Sequence, residues 1–297
     1  MAGPTVAPSG WRLWVAGARP KTLGAAIAPV VVGTAAAHGA GTDLSWGRAV
    51  LALVVALSLQ VGVNYANDYS DGVRGADDDR RGPLRLTASG LVRPELVRRA
   101  AAIALGVGAA AGVALAVLVT PWLLVVGAAA IAAAVLYTGG PRPYGYSGLG
   151  EVVVFLFFGV VATAGSAFVQ GEEVPATAWW GSIVVGLLAC AILLANNVRD
   201  VASDAASGKR TLVVRLGERR ARRVYVACLA GAGLGVVGAA LDAPWALLAL
   251  AATPLGVAAG RAMVAAQDAP RFVRVLVATA RLQLVTALLL AVGLWVS

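Results

Sequence analysis

Long apolar stretches separated by short polar segments dominate the chain, and they predict a membrane protein built from helices. About 20 apolar residues are needed to cross the hydrocarbon core of a bilayer. Pro121 and Pro244 divide two apolar runs that are too long for one crossing. The pattern predicts an all-α, polytopic bundle with residues 1–297 as a single domain. We count nine candidate spans, at 23–38, 47–65, 96–120, 122–137, 150–170, 179–197, 224–242, 244–263 and 273–295.

The composition excludes a soluble globular enzyme. Hydrophobic residues make up 59% of the 297 residues and charged residues only 13%, which is about half the charged fraction of a typical soluble domain. The mean hydropathy is +0.81. Such a chain has too few polar side chains to cover the surface of a soluble monomer. Cys190 and Cys228 lie within apolar spans, so we expect buried thiols rather than a disulfide or a metal pair.

The distribution of basic residues predicts the orientation of the bundle. With the N-terminus in the cytoplasm, 22 of the 24 Lys and Arg residues fall on the cytoplasmic side, all except Arg48 and Arg281. This asymmetry is what the positive-inside rule requires of an integral protein of a bacterial-type cytoplasmic membrane. The net charge of +9 is then explained by orientation and by contact with anionic membrane lipid. We expect no binding of nucleic acid.

Two segments concentrate the acidic residues, and each follows an even-numbered span on the predicted cytoplasmic side. Asn67-x-x-x-Asp71 in the first segment recurs as Asn196-x-x-x-Asp200 in the second, which suggests a diverged internal repeat. Residues four apart share one face of a helix. The Asn and Asp of each motif should therefore point the same way, and Asp204 should join them in the second segment.

The residue types in these segments favour a site for a divalent cation and a phosphate group. Carboxylates grouped at a membrane boundary repel one another and are costly to desolvate, so they require positive charge nearby. Oxygen ligands from Asp and Asn suit Mg²⁺, which completes its shell with water and substrate phosphate. Arg74, Arg81, Lys209 and Arg210 would neutralise the remaining phosphate charge. The alternative is that each segment is only a solvated, mixed-charge connection.

With these motifs the sequence resembles the intramembrane aromatic prenyltransferases of the UbiA superfamily. It is most similar to the branch that acts on 1,4-dihydroxy-2-naphthoate in menaquinone biosynthesis. The superfamily pattern has a third acidic residue four positions after the second, but here position 75 is Gly and the next acids are Asp77 to Asp79. Besides the acidic segments, the branch resemblance is carried by Ala18-Arg-Pro-Lys-Thr-Leu23, Arg85-Leu-Thr-Ala-Ser-Gly90, Tyr137-Thr-Gly-Gly-Pro-Arg-Pro-Tyr144-Gly-Tyr146 and Gly208-Lys-Arg-Thr-Leu-Val-Val-Arg-Leu-Gly217.

The resemblance implies transfer of a polyprenyl group from polyprenyl diphosphate to 1,4-dihydroxy-2-naphthoate, with loss of CO₂ and diphosphate, to give demethylmenaquinol. It implies Mg²⁺ as cofactor and a lateral opening to membrane lipid for the prenyl tail. The metal ligands that it implies are Asn67, Asp71, Asp77, Asn196, Asp200 and Asp204. The implied catalytic residues are Asp71, Asp200, Lys209 and Tyr137. The implied diphosphate- or ring-binding residues are Lys21, Arg81, Arg142, Tyr144, Lys209 and Arg210.

Two further residues have narrower expected roles. Tyr146 stacks on the aromatic substrate with Tyr137 and Tyr144, or else the three form an interfacial tyrosine belt. Asp68 is a weaker candidate, expected to position Asn67 or a basic residue.

Three alternative functions fit parts of the pattern. The same chemistry with 4-hydroxybenzoate, homogentisate or a haem precursor as acceptor is the nearest. A secondary transporter for an anion or a divalent cation also has intramembrane carboxylates and internal repeats. Transporter sites lie near the bilayer midplane, however, whereas these acids follow the cytoplasmic ends of two spans. The third alternative is a carrier that binds prenyl diphosphate without catalysis.

Overall fold

A computed structural model describes residues 9–75 and 84–297, and within these ranges the regular structure is helical, with no strand. Three short 3₁₀ segments, Pro20–Thr22, Tyr144–Ser147 and Pro244–Ala252, interrupt the α-helices. In chain order the helices are α1 (Trp11–Ala18), α2 (Gly24–Gly39), α3 (Trp46–Val73), α4 (Pro94–Leu118), α5 (Trp122–Leu136), α6 (Gly150–Gly171), α7 (Ala176–Arg199), α8 (Val201–Ala206), α9 (Leu212–Leu216), α10 (Glu218–Ala239), α11 (Thr253–Ala265) and α12 (Ala269–Trp295).

Seven helical segments in the described ranges are long and apolar enough to cross a membrane. They are α3, α4, α6, α7, α10, α12 and the Pro244–Ala265 segment that includes α11. The bent pair Trp11–Thr22 and Gly24–Gly39 qualifies together as one further span, with an angle of 50° between its parts. Helix α5 is apolar but has only 15 residues. The predicted polytopic helical bundle is confirmed, while the count of nine spans stays a prediction.

Helix α3 corrects the predicted end of the second span. The apolar pattern ends that span at residue 65, but the helix continues to Val73. Asn67 and Asp71 therefore lie in the last turns of a helix and not in a loop. A search for apolar residues cannot find this extension, because the last turns of α3 are polar and their side chains have partners inside the bundle.

Two other spans depart from regular α-helix. The eighth predicted span begins with the 3₁₀ segment Pro244–Ala252 before α11. Helix α6 widens to π-helical turns over Phe155–Val161. There a Cβ atom added to Gly159 would lie 2.7 Å from Cα of Gly186 on α7. Since only glycine permits such a close approach of two backbones, this pair holds α6 directly against α7.

Helix α7 is the centre of the bundle and positions the second acidic segment. It packs against α2, α6, α10 and α12, and it is the most buried of the candidate spans. Helix α3 packs mainly against α4. The segment before α2 is fastened to α3, because the side-chain amide of Asn64 donates to the carbonyl of Ala18 and the hydroxyl of Tyr65 donates to the carbonyl of Trp14.

Candidate active site

Asp71 joins the two acidic segments of the sequence. Its Oδ1 accepts a hydrogen bond from the Tyr146 hydroxyl at 2.7 Å, and its Oδ2 accepts one from Nζ of Lys209 at 3.0 Å. Asp71 is 3% exposed and Lys209 is 7% exposed. A buried carboxylate from the end of α3 is thus paired with an ammonium group from the segment after α8, which is 138 positions later in the chain.

Local backbone structure directs Lys209 toward this pair. The Lys209 amide donates to the carbonyl of Asp204 at 2.8 Å, and the Arg210 amide donates to the carbonyl of Tyr146 at 2.9 Å. Gly208 has a φ of 77°, a left-handed conformation that glycine adopts without strain. The turn places the Lys209 ammonium 4.9 Å from the centre of the Tyr146 ring, which adds a cation–π contact to the ion pair.

In the second motif, the guanidinium of Arg199 donates hydrogen bonds to both the Asn and the Asp. Nε of Arg199 donates to Oδ1 of Asp200 at 2.7 Å, and its Nη2 donates to Oδ1 of Asn196 at 2.8 Å. The Arg199 side chain is 1% exposed. Asn196 and Asp200 therefore share one face and one cation. Asp204 is also buried, and its amide continues the helical turn by donating to the carbonyl of Asp200 at 2.8 Å.

Asn67 connects α3 to the stretch that follows α5. Its Oδ1 accepts a hydrogen bond from the buried hydroxyl of Thr138 at 2.8 Å. The guanidinium of Arg74 donates to the carbonyls of Thr138 and Gly140. These contacts hold the residues around Tyr137 beside the end of α3.

Tyr137 and Tyr144 form an edge-to-face pair beside the carboxylates, with ring centres 5.5 Å apart. Burial raises the pKa of the Tyr144 hydroxyl, and an unperturbed tyrosine is already uncharged at physiological pH. Both side chains therefore present neutral, electron-rich ring faces.

A model of the UbiA prenyltransferase family matches residues 26–277. The chain belongs to this family. The family predicted from the sequence is thereby confirmed.

Curated relatives agree on one branch of the family. A protein of Mycobacterium tuberculosis named 1,4-dihydroxy-2-naphthoate octaprenyltransferase is 48% identical over 94% of this chain and 95% of its own length. A protein of Escherichia coli strain K12 with the same name is 39% identical over 96% of this chain and 95% of its own length.

Solved structures show the same fold at low sequence identity. The apo structure of a UbiA homolog from Aeropyrum pernix K1 has a TM-score of 0.71 at 16% identity, covering 91% of this chain and 97% of that one. The structure of a UbiA homolog from Archaeoglobus fulgidus bound to GPP and Mg²⁺ has a TM-score of 0.62 at 16% identity, covering 93% and 99%.

The donor atoms at this end of the bundle fit Mg²⁺ in chemistry. Within residues 9–75 and 84–297, no three His, Cys, Asp or Glu side chains lie close enough to hold a metal by themselves. Mg²⁺ commonly takes only one or two carboxylates, with water and substrate phosphate completing its shell. Asn67, Asp71, Asn196 and Asp200 supply carboxylate and amide oxygens of the kind that Mg²⁺ prefers.

We call Asp71, Tyr146 and Lys209 the Asp71 cluster. Several predicted site residues have no described side-chain contact with it. Lys21, Arg142 and Arg210 are exposed, and only the backbone of Arg210 contacts the cluster. Asp77 and Arg81 lie outside the described residues. The expected role of Asp68 is corrected: it is 0% exposed, and its carboxylate accepts the amides of two residues in the 84–90 stretch at 2.8 Å each. It anchors that stretch to α3 and contacts neither Asn67 nor a basic residue through these bonds.

The structure also reveals polar groups that the sequence reasoning did not select. One is Arg199, whose position between the Asn and the Asp of the second motif is the sequence signal for its role. The side-chain amide of Asn197 donates to Oε1 of Glu151 at 3.1 Å, and both residues are buried. A glutamate at the start of an apolar span and the Asn196–Asn197 doublet were the available signals for this pair.

Proposed function

We propose that this protein transfers a polyprenyl group from polyprenyl diphosphate to 1,4-dihydroxy-2-naphthoate, releasing diphosphate and CO₂ and giving demethylmenaquinol. The observation that carries the proposal is the buried Asp71–Lys209 pair, which unites the two acidic segments at one end of the bundle. The names of the relatives at 48% and 39% identity support this choice of acceptor and a long prenyl chain.

We further propose that Asn67, Asp71, Asn196, Asp200 and Asp204 hold Mg²⁺, and that Asp77 contributes from outside the described residues. Mg²⁺ would stabilise the negative charge that develops on the leaving diphosphate. The Lys209 ammonium supplies positive charge at the same place. Arg199 keeps the oxygens of Asn196 and Asp200 on one face, so that they are already oriented before ligand binds.

The tyrosine pair acts on the other half of the reaction. As the bond between the allylic carbon and the diphosphate oxygen breaks, positive charge develops on that carbon. The neutral ring faces of Tyr137 and Tyr144 attract this charge. The electron-rich naphthoate ring then forms the new carbon–carbon bond. Loss of the ring carboxylate as CO₂ leaves its electron pair to restore aromaticity.

The topology of the proposal retains nine spans with the N-terminus in the cytoplasm. The bent pair of α1 and α2 and the short helix α5 would provide the two spans beyond the seven long ones. The Asp71 cluster would then face the cytoplasm, from which both charged head groups arrive. The prenyl tail would remain in the hydrocarbon of a bacterial-type cytoplasmic membrane.

The test is product formation by the purified full chain in detergent. It is given 1,4-dihydroxy-2-naphthoate and a long polyprenyl diphosphate, with Mg²⁺ or with EDTA, and 4-hydroxybenzoate as a second acceptor. The proposal predicts prenylated naphthoquinol and diphosphate only with Mg²⁺. Turnover of 4-hydroxybenzoate alone would contradict the acceptor. Diphosphate binding without any turnover would contradict the enzymatic function.

A further inference from the structure

A groove on the side of the bundle, between α10, α11 and α12, has no role in the proposed reaction. Its volume is about 630 Å³, and none of the site residues discussed above lines it. The lining is apolar except for Thr253, Thr286 and Arg261. On the side of a membrane-spanning bundle, such a space suits an occupant with a long apolar part.

Three glycines keep the groove open. A Cβ atom added to Gly233 on α10 would have no neighbour within 4 Å. Cβ atoms added to Gly256 and Gly260 on α11 would meet no other residue closer than 3.8 Å. At Gly159 and Gly186, by contrast, the backbones of two helices touch. The glycines of the groove therefore leave space and do not bring helices together.

The length of the groove along α10 matches the thickness of one leaflet of the hydrocarbon core. On α10 its lining runs from Val226 to Val236, and the ten steps between these residues span about 15 Å at the α-helical rise. The hydrocarbon core of a bilayer is about 30 Å thick. One acyl chain of a membrane lipid therefore matches the groove in length and in polarity.

Positive charge surrounds the end of the groove that lies toward the Asp71 cluster. The guanidinium of Arg222, at the start of α10, donates to the carbonyls of Met263 and Val264. This contact places Arg261, near the end of α11, at the same end of the bundle. Arg219 and Arg223 precede Val226 on the same face of α10. Arg219, Arg223 and Arg261 are exposed.

We propose that this groove binds one anionic phospholipid, with an acyl chain along the glycines and the phosphate at Arg261. Arginine pairs strongly with phosphate, and long basic side chains extend readily to the level of the head groups. Arg219 and Arg223 provide attraction for the second negative charge of an anionic head group. The proposal commits to a phospholipid rather than a prenyl diphosphate, because Lys209 and the carboxylates that the proposed function assigns to the diphosphate and Mg²⁺ do not line this groove. In this choice of occupant it rests on the proposed function.

The test is native mass spectrometry of the delipidated full chain in detergent. Phosphatidylglycerol and phosphatidylcholine with identical acyl chains are added separately. The wild type should bind one phosphatidylglycerol more tightly than phosphatidylcholine. Arg261→Gln should weaken phosphatidylglycerol binding about fivefold, the effect of one basic side chain near a membrane surface. Arg99→Gln, at an exposed position on α4, is the matched control and should have no effect.

Gly233→Leu fills the groove without changing any charge, and it should abolish the tighter binding of phosphatidylglycerol. If this variant does not fold, Gly256→Leu tests the same point. Equal binding of the two lipids by the wild type would overturn the proposal, as would equal losses in Arg261→Gln and Arg99→Gln. Displacement of phosphatidylglycerol by an equimolar polyprenyl monophosphate would also overturn it, because the occupant would then be a prenyl lipid.

Discussion

The two Asn-x-x-x-Asp motifs end helices α3 and α7 at the same end of the bundle, but their carboxylates are held differently. Asp71 is held by Tyr146 and Lys209, which are 75 and 138 positions away in sequence. Asp200 is held by its neighbour Arg199. Asp71 thus has described partners that are distant in sequence, whereas Asp200 has a described partner immediately beside it. The two halves look alike in sequence but differ in this contact.

The largest effect should come from Asp71, the carboxylate that is paired with Lys209. Asp71→Asn should lower kcat at least about a hundredfold, the scale of losing one major electrostatic stabiliser. It also leaves the buried Lys209 ammonium without its counter-charge, so the melting temperature should fall. Steady-state prenyl transfer and thermal unfolding measure the two effects. Asp242→Asn, the same change at an exposed residue after α10, is the matched control and should be silent.

The local contact should show its effect mainly in stability. Arg199→Gln removes a buried bidentate partner of Asp200, and breaking a buried ion pair costs about 3 kcal/mol or more of unfolding free energy. We expect about a tenfold loss of kcat, because Asn196 and Asp200 lose their common orientation. Arg199→Lys keeps the charge but not the planar fork, so it should recover stability only in part. Wild-type stability in the Gln variant would contradict the local role.

Tyr146→Phe should give the smallest combined effect, because it lowers activity but leaves the Asp71–Lys209 ion pair in place. The change removes the hydroxyl that donates to Asp71 but keeps the ring beneath Lys209. A hydrogen bond to a charged group supports a loss of about tenfold in kcat/KM. Tyr144→Phe is the control, since the hydroxyl of Tyr144 donates to the backbone carbonyl of Ala133 instead. Equal losses in the two variants would remove the special role of Tyr146.

The apolar pattern predicted most of the architecture because each span is a long hydrophobic run. It failed where the cause of helix formation is not hydrophobic. The last turns of α3 are polar. There the carboxylate of Asp68 accepts hydrogen bonds from two backbone amides of the 84–90 stretch. That contact is made by residues distant in sequence, so no local pattern shows it.

The chemistry of the site was partly visible in the spacing. Residues four apart share a helical face, and the structure places Asn196 and Asp200 on one cation, Arg199. Which basic residue faces which carboxylate was not visible. Lys209 and Arg210 are adjacent, yet only the Lys209 side chain is buried against Asp71 while Arg210 is exposed. That distinction arises from the turn at Gly208 and from the packing of Tyr146.

The central claim is that both acidic segments act as one site through Asp71 and Lys209. A double-mutant cycle on kcat tests it most directly, with wild type, Asp71→Asn, Lys209→Gln and the double variant, each verified as folded. Residues that act as a unit give non-additive losses. The account predicts that the double variant is about as slow as Asp71→Asn alone. Losses that multiply fully would show that the two residues act independently and would contradict the account.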